Sequence, residues 1–341
     1  MQFIRVLVCL CYVIVSTVLA NPTIETNFSH RGEQLHFDFP EVYIGEAEYP
    51  QGPTGVTVFY FPKGATAAVD LRGGAIGSFF TQVKMQCGYA PVDAVVFSGG
   101  SILGLASVTG VLDGLFEKNN YNTDFDAMPL VSGVSIFDFT VRKPNAIYPD
   151  MALGKAALKN AAPGQFLLGR RGAGASAIVG KLYGQKYAEN AGQGGAFAQF
   201  GDIKLAFFTV LNPVGVVVDY DNKKQYGLWN QAEQRYLSVD EIAESELKGM
   251  VPPGGNTTLS ILITNLTLSP FELQQLGKQV HNSMSSWIKP FCTINDGDIF
   301  YTVSTNSLPA RSDVSSIWLG VEGTKLAKQG IFSAFNEKGH P

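Results

Sequence analysis

The feature that most constrains the fold of this chain is a series of short apolar runs separated by glycine and proline. Four of these runs are GVTVFYFP, TAAVDLRGG, VDAVVFSGG and LAFFTVLNPVGVVVDY. Runs of this length that are apolar on both faces are typical of strands buried on both sides. Helical patterns lie between them, over 102–118 and 151–160, and Pro149 and Asp150 are a start signal for the second. This alternation predicts an α/β domain built of packed layers.

Size and charge narrow the class of protein further. The chain has 341 residues, of which 45% are hydrophobic, enough for one large domain or two small ones with a sizeable core. Its 37 glycines are too many for a helical bundle and indicate many tight turns. The formal net charge is −4, and Lys and Arg are scattered, so the sequence shows no cluster of basic residues of the kind that binds nucleic acid. We therefore expect no nucleic-acid partner.

The first twenty residues differ from the rest of the chain. Arg5 precedes the apolar stretch VLVCLCYVIVSTVLA, which is short for a bilayer span and ends in small residues at Ala20. Residues 1–20 are therefore predicted to be a signal peptide; an uncleaved membrane anchor is the alternative. Residues 21–34 are predicted to be a loose segment and 35–341 a single domain. We expect a secreted protein, or one in a lysosomal or other endomembrane lumen, with no membrane association after the signal is removed.

Secretion would place the cysteines of the mature chain in an oxidising compartment. Cys9 and Cys11 leave with the signal, so the mature chain keeps Cys87 and Cys292. In an oxidising compartment these two either form one disulfide or stay as two buried thiols, and the sequence leaves both open.

Secretion also gives meaning to the glycosylation sequons. Those at Asn27 and Asn265 predict glycans. A third sequon, at Asn256, is expected to stay unmodified in active molecules, because a glycan there would crowd the bond between Asn256 and Thr257, the candidate cleavage site discussed below.

The last third of the chain carries two informative signals. Residues 221–255 are rich in polar groups and predict a surface excursion or linker that ends in Pro-Pro-Gly-Gly. A strand over 258–266 follows, and then a capping box at 269–272 opens a helix. His281 lies on the polar face of that helix and is predicted to be a surface residue. The four histidines show no paired spacing, so no metal site is expected.

The peptide bond between Asn256 and Thr257 is the candidate reactive bond of the chain. A Thr hydroxyl is a poor nucleophile unless a base takes its proton, and an N-terminal α-amino group with a pKa of roughly 7.7–8.0 can be that base. An internal Thr gains such an amine only when the preceding bond is cut, and its own hydroxyl can attack that bond. Gly254 and Gly255 supply the flexible approach. From the residues alone, an ordinary loop leading into a strand remains the alternative.

Cofactor motifs are incomplete. GAGASA imitates a dinucleotide fingerprint, and Gly180-Lys181 imitates the end of a phosphate loop without the following Ser or Thr. GGSILG has one residue too many for a hydrolase nucleophile elbow. No cofactor is expected.

From about Leu35 to Thr305 the chain resembles the family of the nylon-oligomer (6-aminohexanoate-oligomer) endohydrolase. That group is related to the L-aminopeptidase/D-esterases and β-peptidyl aminopeptidases. The stretches that carry the resemblance are FDFPEVYIGEAEYPQGPTGVTV, AVDLRGGAIG, YPDMALGKAAL, GAGASAIVGK, LNPVGVVVD, GGNTTLSILITNLTLSPFELQQLGKQVHNSM and DGD. The resemblance implies a four-layer α-β-β-α sandwich. It also implies self-cleavage between Asn256 and Thr257 into chains 21–256 and 257–341, which stay together in a homo-tetramer.

The resemblance assigns roles to five residues. Thr257 matches the nucleophile, and Asp296 and Asp298 match the carboxylates that orient it. Lys181 matches a lysine near the nucleophile, where a cation lowers the amine pKa or steadies the intermediate. Asn212 matches the side-chain amide that helps to bind the oxyanion.

One position departs from the family pattern. Phe137 stands where the family has a Tyr hydroxyl near the oxyanion site, and a Phe donates no hydrogen bond. Either another donor such as a backbone N–H replaces it, or catalysis is weaker on some substrates.

The function implied is a secreted amide hydrolase that cleaves internal amides of small oligomers or peptides through an acyl-enzyme on Thr257. One alternative is an aminopeptidase acting on β-peptides, D-amino-acid amides or short peptides. The other, from a different class, is a non-catalytic secreted binding protein with the same fold.

Overall fold

The computed structural model describes residues 22–28, 33–79, 91–143, 145–245 and 255–335. The strands are β1 (Gln34–His36), β2 (Tyr43–Tyr49), β3 (Thr54–Leu71), β4 (Gly77–Phe79), β5 (Val92–Ser98), β6 (Val131–Ser135), β7 (Ala162–Pro163), β8 (Gln165–Leu167), β9 (Ile178–Val179), β10 (Glu189–Asn190), β11 (Gln193–Phe200), β12 (Ile203–Asn212), β13 (Val216–Asp219), β14 (Lys224–Tyr226), β15 (Trp229–Asn230), β16 (Arg235–Tyr236), β17 (Thr257–Leu266), β18 (Ile288–Lys289) and β19 (Ile299–Leu308). The helices are α1 (Ser101–Gly104), α2 (Ala106–Lys118), α3 (Met151–Lys159), α4 (Val239–Ser245), α5 (Pro270–Ser283) and α6 (Ser316–Ser333).

One continuous sheet organises the molecule. Its strands run in the order β11-β12-β17-β19-β3-β5-β6-β4, and β2 also pairs with β3. The 18-residue strand β3 belongs to both halves of this sheet. Its first part pairs with β2 and β5, and its last part pairs with β19. The β17–β19 and β5–β6 pairs are parallel.

The sequence predicts two separate strands where β3 runs through. The predicted break falls at Gly64, which has a φ of 72°. The pairing of β3 with β5 shifts its register between Tyr60 and Ala65. A glycine adopts this conformation without steric cost, so β3 continues through the register shift as one strand.

The two halves of the sheet face each other across an apolar layer. Their inward side chains include Phe59, Phe97, Phe166, Phe208, Ile261 and Tyr301. The alternate residues of the β12–β17–β19 half, such as Phe207, Leu262 and Phe300, pack instead against α5 and α6. On the other half, α2 and α3 cover Val58, Ala94 and Val96. This is the four-layer α-β-β-α sandwich, and the expected fold is confirmed.

Helix α5 starts as the capping box predicts. The Ser269 hydroxyl accepts a hydrogen bond from the backbone N–H of Glu272, whose carboxylate accepts one from the Ser269 N–H in return. Leu273, Leu276 and Val280 are buried at helical spacing. His281, however, is only 1% exposed, so its prediction as a surface residue is wrong. Its partner, Asp70 on β3, is distant in sequence and invisible to helix periodicity.

The polar excursion before the candidate cleavage bond is folded. It contains strands β14 to β16 and helix α4, and its apolar residues Leu228, Leu237 and Ile242 are buried against Leu182. Residues 1–20, Cys87, and Pro252 to Gly254 lie outside the described part of the chain. Within that part, no helix combines the length and the apolar character that a membrane crossing requires.

Candidate active site

The predicted nucleophile is the first residue of the central strand β17. Thr257 pairs in register with Asn212, the last residue of β12, and is 4% exposed. On its other side, β17 pairs with β19, which begins directly after Asp298. Sheet pairing therefore brings residues 212, 257 and 298 together, although 86 positions separate the first and the last (298 − 212).

The peptide bond before Thr257 is held by two donors. The Thr257 hydroxyl donates to the carbonyl oxygen of Asn256 at 2.5 Å, and the backbone N–H of Gly297 donates to the same oxygen at 2.7 Å. A Cβ at Gly297 would lie 2.7 Å from the Thr257 Oγ1, so this approach requires a glycine. A fixed N–H on a carbonyl oxygen that is also next to a hydroxyl is the arrangement of an oxyanion hole.

Asp296 and Asp298 flank that N–H and are fully buried. The Asp298 carboxylate accepts from the backbone N–H of Thr258 at 2.5 Å and of Cys292 at 2.9 Å. The Asp296 carboxylate accepts from the N–H of Val214 at 3.1 Å and from the Thr293 hydroxyl. Backbone groups therefore hold both carboxylates.

The buried carboxylates are hard to ionise. Burial, reinforced by the neighbouring charge of Asp296, raises the pKa of Asp298 to about 7. Burial also raises the pKa of Asp296, although its hydrogen bonds and the charge of Lys181 oppose the shift. Two such carboxyls in one pocket influence each other, because ionisation of one opposes ionisation of the other.

Lys181 is the cation of the site. It is 3% exposed, and its Nζ donates to the carbonyl oxygen of Asn212 at 2.8 Å. Burial lowers the pKa of Lys181 to about 7, and the charges of Asp296 and Asp298 oppose that shift. The amine is therefore close to losing its proton at neutral pH.

Asn212 and Phe137 cover the residue before Asn256. The Asn212 side-chain N–H₂ donates to the carbonyl oxygens of Phe137 at 3.1 Å and Gly255 at 3.4 Å. The expected donor to the oxyanion therefore lies beside the Asn256 carbonyl, which accepts from Gly297 instead. Gly255 has a φ of 88°, and a Cβ there would lie 2.6 Å from the Phe137 ring.

Gly297 and the segment 72–75 were not singled out from the sequence. The segment supports the carboxylate loop, which we define as residues 292–298. The N–H of Gly73 donates to the Asp298 carbonyl at 3.1 Å, and that of Ala75 to the Asp296 carbonyl at 2.8 Å. A backbone N–H donor cannot be recognised from the residue type. The sequence features that could have pointed to these donors are the two glycines of DLRGG and the glycine of DGD.

The predicted modification sites differ in exposure. Asn27 is exposed, which is compatible with a glycan. Asn265 requires a correction, because it is 7% exposed and its amide nitrogen donates to the Asp202 carbonyl at 2.8 Å. Burial of this side chain among its neighbours is incompatible with a glycan on that nitrogen in the folded chain. Asn256, at 1% exposed, is equally inaccessible.

Two further predictions concern a possible disulfide between Cys87 and Cys292 and the expected lack of a metal site. Cys292 forms no disulfide within the described residues, and its proposed partner Cys87 lies outside them. Burial raises the pKa of the Cys292 thiol. Among the residues that the structure places, no group of His, Cys, Asp and Glu is suited to hold a metal ion.

Comparison with known proteins matches most of the chain to one family. The model of peptidase family S58 matches residues 37–336. The chain is 42% identical over 316 residues to the 6-aminohexanoate-oligomer endohydrolase of Paenarthrobacter ureafaciens, and the match covers 90% of this chain and 86% of that relative.

Solved structures share the fold at lower identity. The L-aminopeptidase D-Ala-esterase/amidase of Ochrobactrum anthropi, described as a variant of the Ntn hydrolase fold, has a TM-score of 0.64 and 17% identity, covering 88% of this chain and 85% of its own. A β-aminopeptidase of Burkholderia sp. has a TM-score of 0.60 and 18% identity, covering 87% and 84%. At these identities the likeness concerns the fold alone.

Proposed function

This chain belongs to peptidase family S58 and is an amide hydrolase, and we propose that its nucleophile is Thr257, made N-terminal by self-cleavage after Asn256. The proposal extends to the products, a large chain 21–256 and a small chain 257–341 that remain associated through the sheet. Because β17 lies between β12 of the large chain and β19 of the small chain, separating them would break the centre of the sheet.

One observation carries the proposal: the carbonyl oxygen of Asn256 lies 2.5 Å from the Thr257 hydroxyl and 2.7 Å from the Gly297 N–H. The nucleophile and an oxyanion donor therefore converge on a single internal peptide bond. An ordinary loop leading into a strand does not require this convergence, nor a glycine at position 297.

Self-cleavage follows from this geometry in two steps. The Thr257 Oγ1 attacks the Asn256 carbonyl carbon, and the negative charge on the oxygen is stabilised by the Gly297 N–H. The C–N bond then breaks as the hydroxyl proton passes to the Thr257 nitrogen, leaving an ester between Asn256 and Oγ1. Water hydrolyses the ester, which frees the Thr257 hydroxyl and amine and leaves Asn256 with a carboxylate.

Turnover repeats the chemistry on a substrate amide. The new α-amine accepts the proton of Oγ1 during attack and gives it to the departing amine, and water then releases the acyl group from Thr257. The carboxylates of Asp296 and Asp298 hold the α-ammonium in position. Departure of Gly255 and Asn256 from the pocket frees the Asn212 amide to serve as a second oxyanion donor beside Gly297.

We assign internal amide bonds of small oligomers or peptides as the substrate class, because the 42% identical relative is named for endohydrolysis of 6-aminohexanoate oligomers. Incubation with 6-aminohexanoate oligomers whose amino end is acetylated tests this class. Cleavage of the blocked oligomer supports internal action. Cleavage of the free oligomer alone supports the aminopeptidase alternative.

Export and assembly complete the proposal. We propose that the chain is secreted from residue 21 and glycosylated at the exposed Asn27, and that it forms a homo-tetramer. N-terminal sequencing of protein from the culture medium is expected to find Asn21, and light scattering is expected to give four copies. A retained Met1, or a monomer, contradicts these parts.

The test of the nucleophile uses two threonines of strand β17. Thr257→Ala removes the attacking hydroxyl and is expected to give one uncut, inactive chain, whereas Thr257→Ser keeps a hydroxyl and is expected to be cut. Thr264→Ala is the matched control, because Thr264 is also buried in β17 but its hydroxyl accepts from the Leu266 N–H at 3.2 Å, away from the site. Denaturing electrophoresis shows one band or two, and cutting of Thr257→Ala to the same extent as the parent contradicts the proposal.

A further inference from the structure

A polar cluster beside the carboxylate loop, with one buried and two partly buried members, has no part in the chemistry described above. It consists of Asp70 and Arg72 at the end of β3 and His281 in α5. The His281 Nδ1 lies 2.9 Å from the Asp70 Oδ2, and the Arg72 Nε donates to the same oxygen at 2.6 Å. We call these three residues the anchor.

Arg72 joins the anchor to α5 as well. Its guanidinium donates to the Lys278 carbonyl at 3.1 Å and to the Asn282 side-chain oxygen at 3.2 Å. Asp70 itself stands opposite Phe300 in the β3–β19 pairing. The end of β3 is thus fixed between a helix and the strand that follows the carboxylate loop.

The backbone of the same segment holds the carboxylate loop. The N–H groups of Arg72 and Gly73 both donate to the Asp298 carbonyl, at 3.2 and 3.1 Å, and the N–H of Gly74 donates to the Thr293 carbonyl at 3.2 Å. A Cβ at Gly73 would lie 2.2 Å from the Asp298 nitrogen, so the two segments are in close contact. A shift of Arg72 would therefore move the backbone that positions Asp298.

His281 touches both ends of the loop. Its ring lies 5.4 Å from the Phe291 ring, just before the loop, and 5.4 Å from the Phe300 ring, just after it. At 1% exposure no substrate reaches this imidazole. A His–Asp pair in this place acts on the loop and not on a substrate.

The protonation states of His281 and Asp70 keep the hydrogen bonds of the anchor in place at neutral pH. Burial lowers the pKa of His281, and the hydrogen bond and charge of Asp70 oppose that shift only in part, so the ring is neutral at pH 7 and donates from Nδ1. Burial alone would raise the pKa of Asp70, but the hydrogen bonds of His281 and Arg72 outweigh it and hold that pKa below its usual range. The carboxylate stays ionised at neutral pH and accepts both bonds.

We propose that Asp70, Arg72 and His281 are positioning residues that hold the carboxylate loop, and with it Gly297 and Asp298, against Thr257. This inference rests on the proposed function, since it names what positions that site. It predicts that losing the anchor slows self-cleavage in a chain that still folds. Misplacement of reacting groups by about 1 Å can cost up to roughly 100-fold in rate.

The experiment follows formation of the small chain with time after cell-free translation. Asp70→Asn, which weakens both bonds at Oδ2, is expected to slow self-cleavage about 10-fold or more. Asp38→Asn is the matched control, because Asp38 also pairs with a cation, Lys204 at 3.0 Å, but is 76% exposed and away from the loop. The control is expected to cut at the parental rate.

Two further variants separate positioning from folding. His281→Asn keeps an N–H near the place of Nδ1 and is expected to cut faster than His281→Leu, although both lose the ring. Arg72→Gln replaces a side chain that is 29% exposed and is expected to fold and to cut slowly, even if Asp70→Asn fails to fold. Thermal unfolding of each variant in the uncut Thr257→Ala background identifies the folded ones.

The outcomes are distinct. Slow cutting by folded Asp70→Asn or Arg72→Gln, with the His281→Asn rescue, supports the anchor. Parental cutting rates in folded Arg72→Gln and folded Asp70→Asn, or equal rates in the two His281 variants, overturn it while leaving the nucleophile proposal intact. Cutting of Thr257→Ala at the same bond overturns the proposed function instead.

Discussion

Asp70 is a partly buried carboxylate and Asp298 a fully buried one on adjoining segments of the sheet, and their surroundings shift their pKa values in opposite directions. Asp70 accepts hydrogen bonds from the side chains of Arg72 and His281, which hold its pKa below the usual range although burial acts against them. Asp298 has no cationic or imidazole side chain among the hydrogen-bond donors described for it, and burial beside Asp296 raises its pKa to about 7.

The difference shows how one fold separates a structural charge from a reactive one. A carboxylate with cationic and imidazole partners is stabilised in its ionised form and serves to fix backbone. A carboxylate that is desolvated and faces another acid can gain or lose a proton near neutral pH, as a group that handles an amine must. The predictions below test this contrast, from the largest effect to the smallest.

Removing the reactive carboxylate has the largest expected effect. Asp298→Asn leaves the side chain near its size but removes the charge that orients the Thr257 amine once the bond is cut, so turnover is expected to fall by roughly 100-fold or more. The oligomer is expected to stay assembled, as judged by gel filtration. Asp70→Asn provides the comparison, because it is expected to cost less; a larger loss for Asp70→Asn would reverse the two roles.

The pH dependence of turnover is expected to follow the reactive carboxylate. Asp298 ionises near pH 7, so kcat/KM is expected to fall by up to about 10-fold per pH unit below that value. Asp70, whose pKa is lowered, is ionised between pH 5 and 7. A pH–rate profile that is flat between pH 5 and 7 would mean that ionisation of Asp298 is not required.

The stability of the uncut chain is expected to change with pH in the opposite direction to activity. Because the folded pKa of Asp298 lies above its unfolded value of 3.8, the folded state binds more protons and loses stability as pH rises from about 4 to 7. Lys181 stays largely protonated in both states below pH 7 and adds little there. In the Thr257→Ala background, Asp298→Asn should therefore gain up to a few kcal/mol of unfolding free energy over its parent between pH 5 and 7.

Urea unfolding at several pH values measures this change. For Asp70 the sign is reversed: its lowered pKa contributes stability above pH 3.8 that is lost as pH falls through the folded value. Asp70→Asn is therefore expected to destabilise the same background most at neutral pH. Parallel curves for the two variants would show that the two environments do not differ.

Restoring a hydroxyl at position 137 has the smallest expected effect. Phe137 packs on Gly255, beside the bond that Gly297 already polarises. Phe137→Tyr is expected to change kcat by a few-fold, since one added neutral hydrogen bond contributes about 0.5–1.5 kcal/mol. Phe139→Tyr, on the neighbouring ring 5.6 Å away, is the control. A gain of 100-fold would show that Gly297 does not supply the main oxyanion donor.

Much of the fold was predictable because strands and helices have periodic signals. The capping box at Ser269 and the apolar residues of α5 appeared where predicted, and the strand predicted from Thr258 begins one residue earlier, at Thr257. The resemblance also directed attention to residues that the sheet brings together, such as Asn212 and Thr257.

What the sequence missed depends on contacts between distant segments. Gly297 contributes through its backbone N–H, which every residue except proline has, and the close contact that requires a glycine there is with Thr257, which is distant in sequence. His281 was read as a surface residue because helix periodicity does not report Asp70 on the facing strand. Asn265 fits a sequon and lies within the predicted strand, yet its burial and its hydrogen bond to the Asp202 carbonyl show only in the folded structure.

The N terminus of the smaller chain tests the central claim most directly. Wild-type protein is purified, its chains are separated under denaturing conditions, and their masses and N-terminal sequences are measured. Self-cleavage by Thr257 predicts a smaller chain that begins Thr257-Thr258-Leu259 and a larger one that ends with an unmodified Asn256 carboxylate. A smaller chain beginning at any other residue, or an active protein that remains one intact chain, would contradict the account.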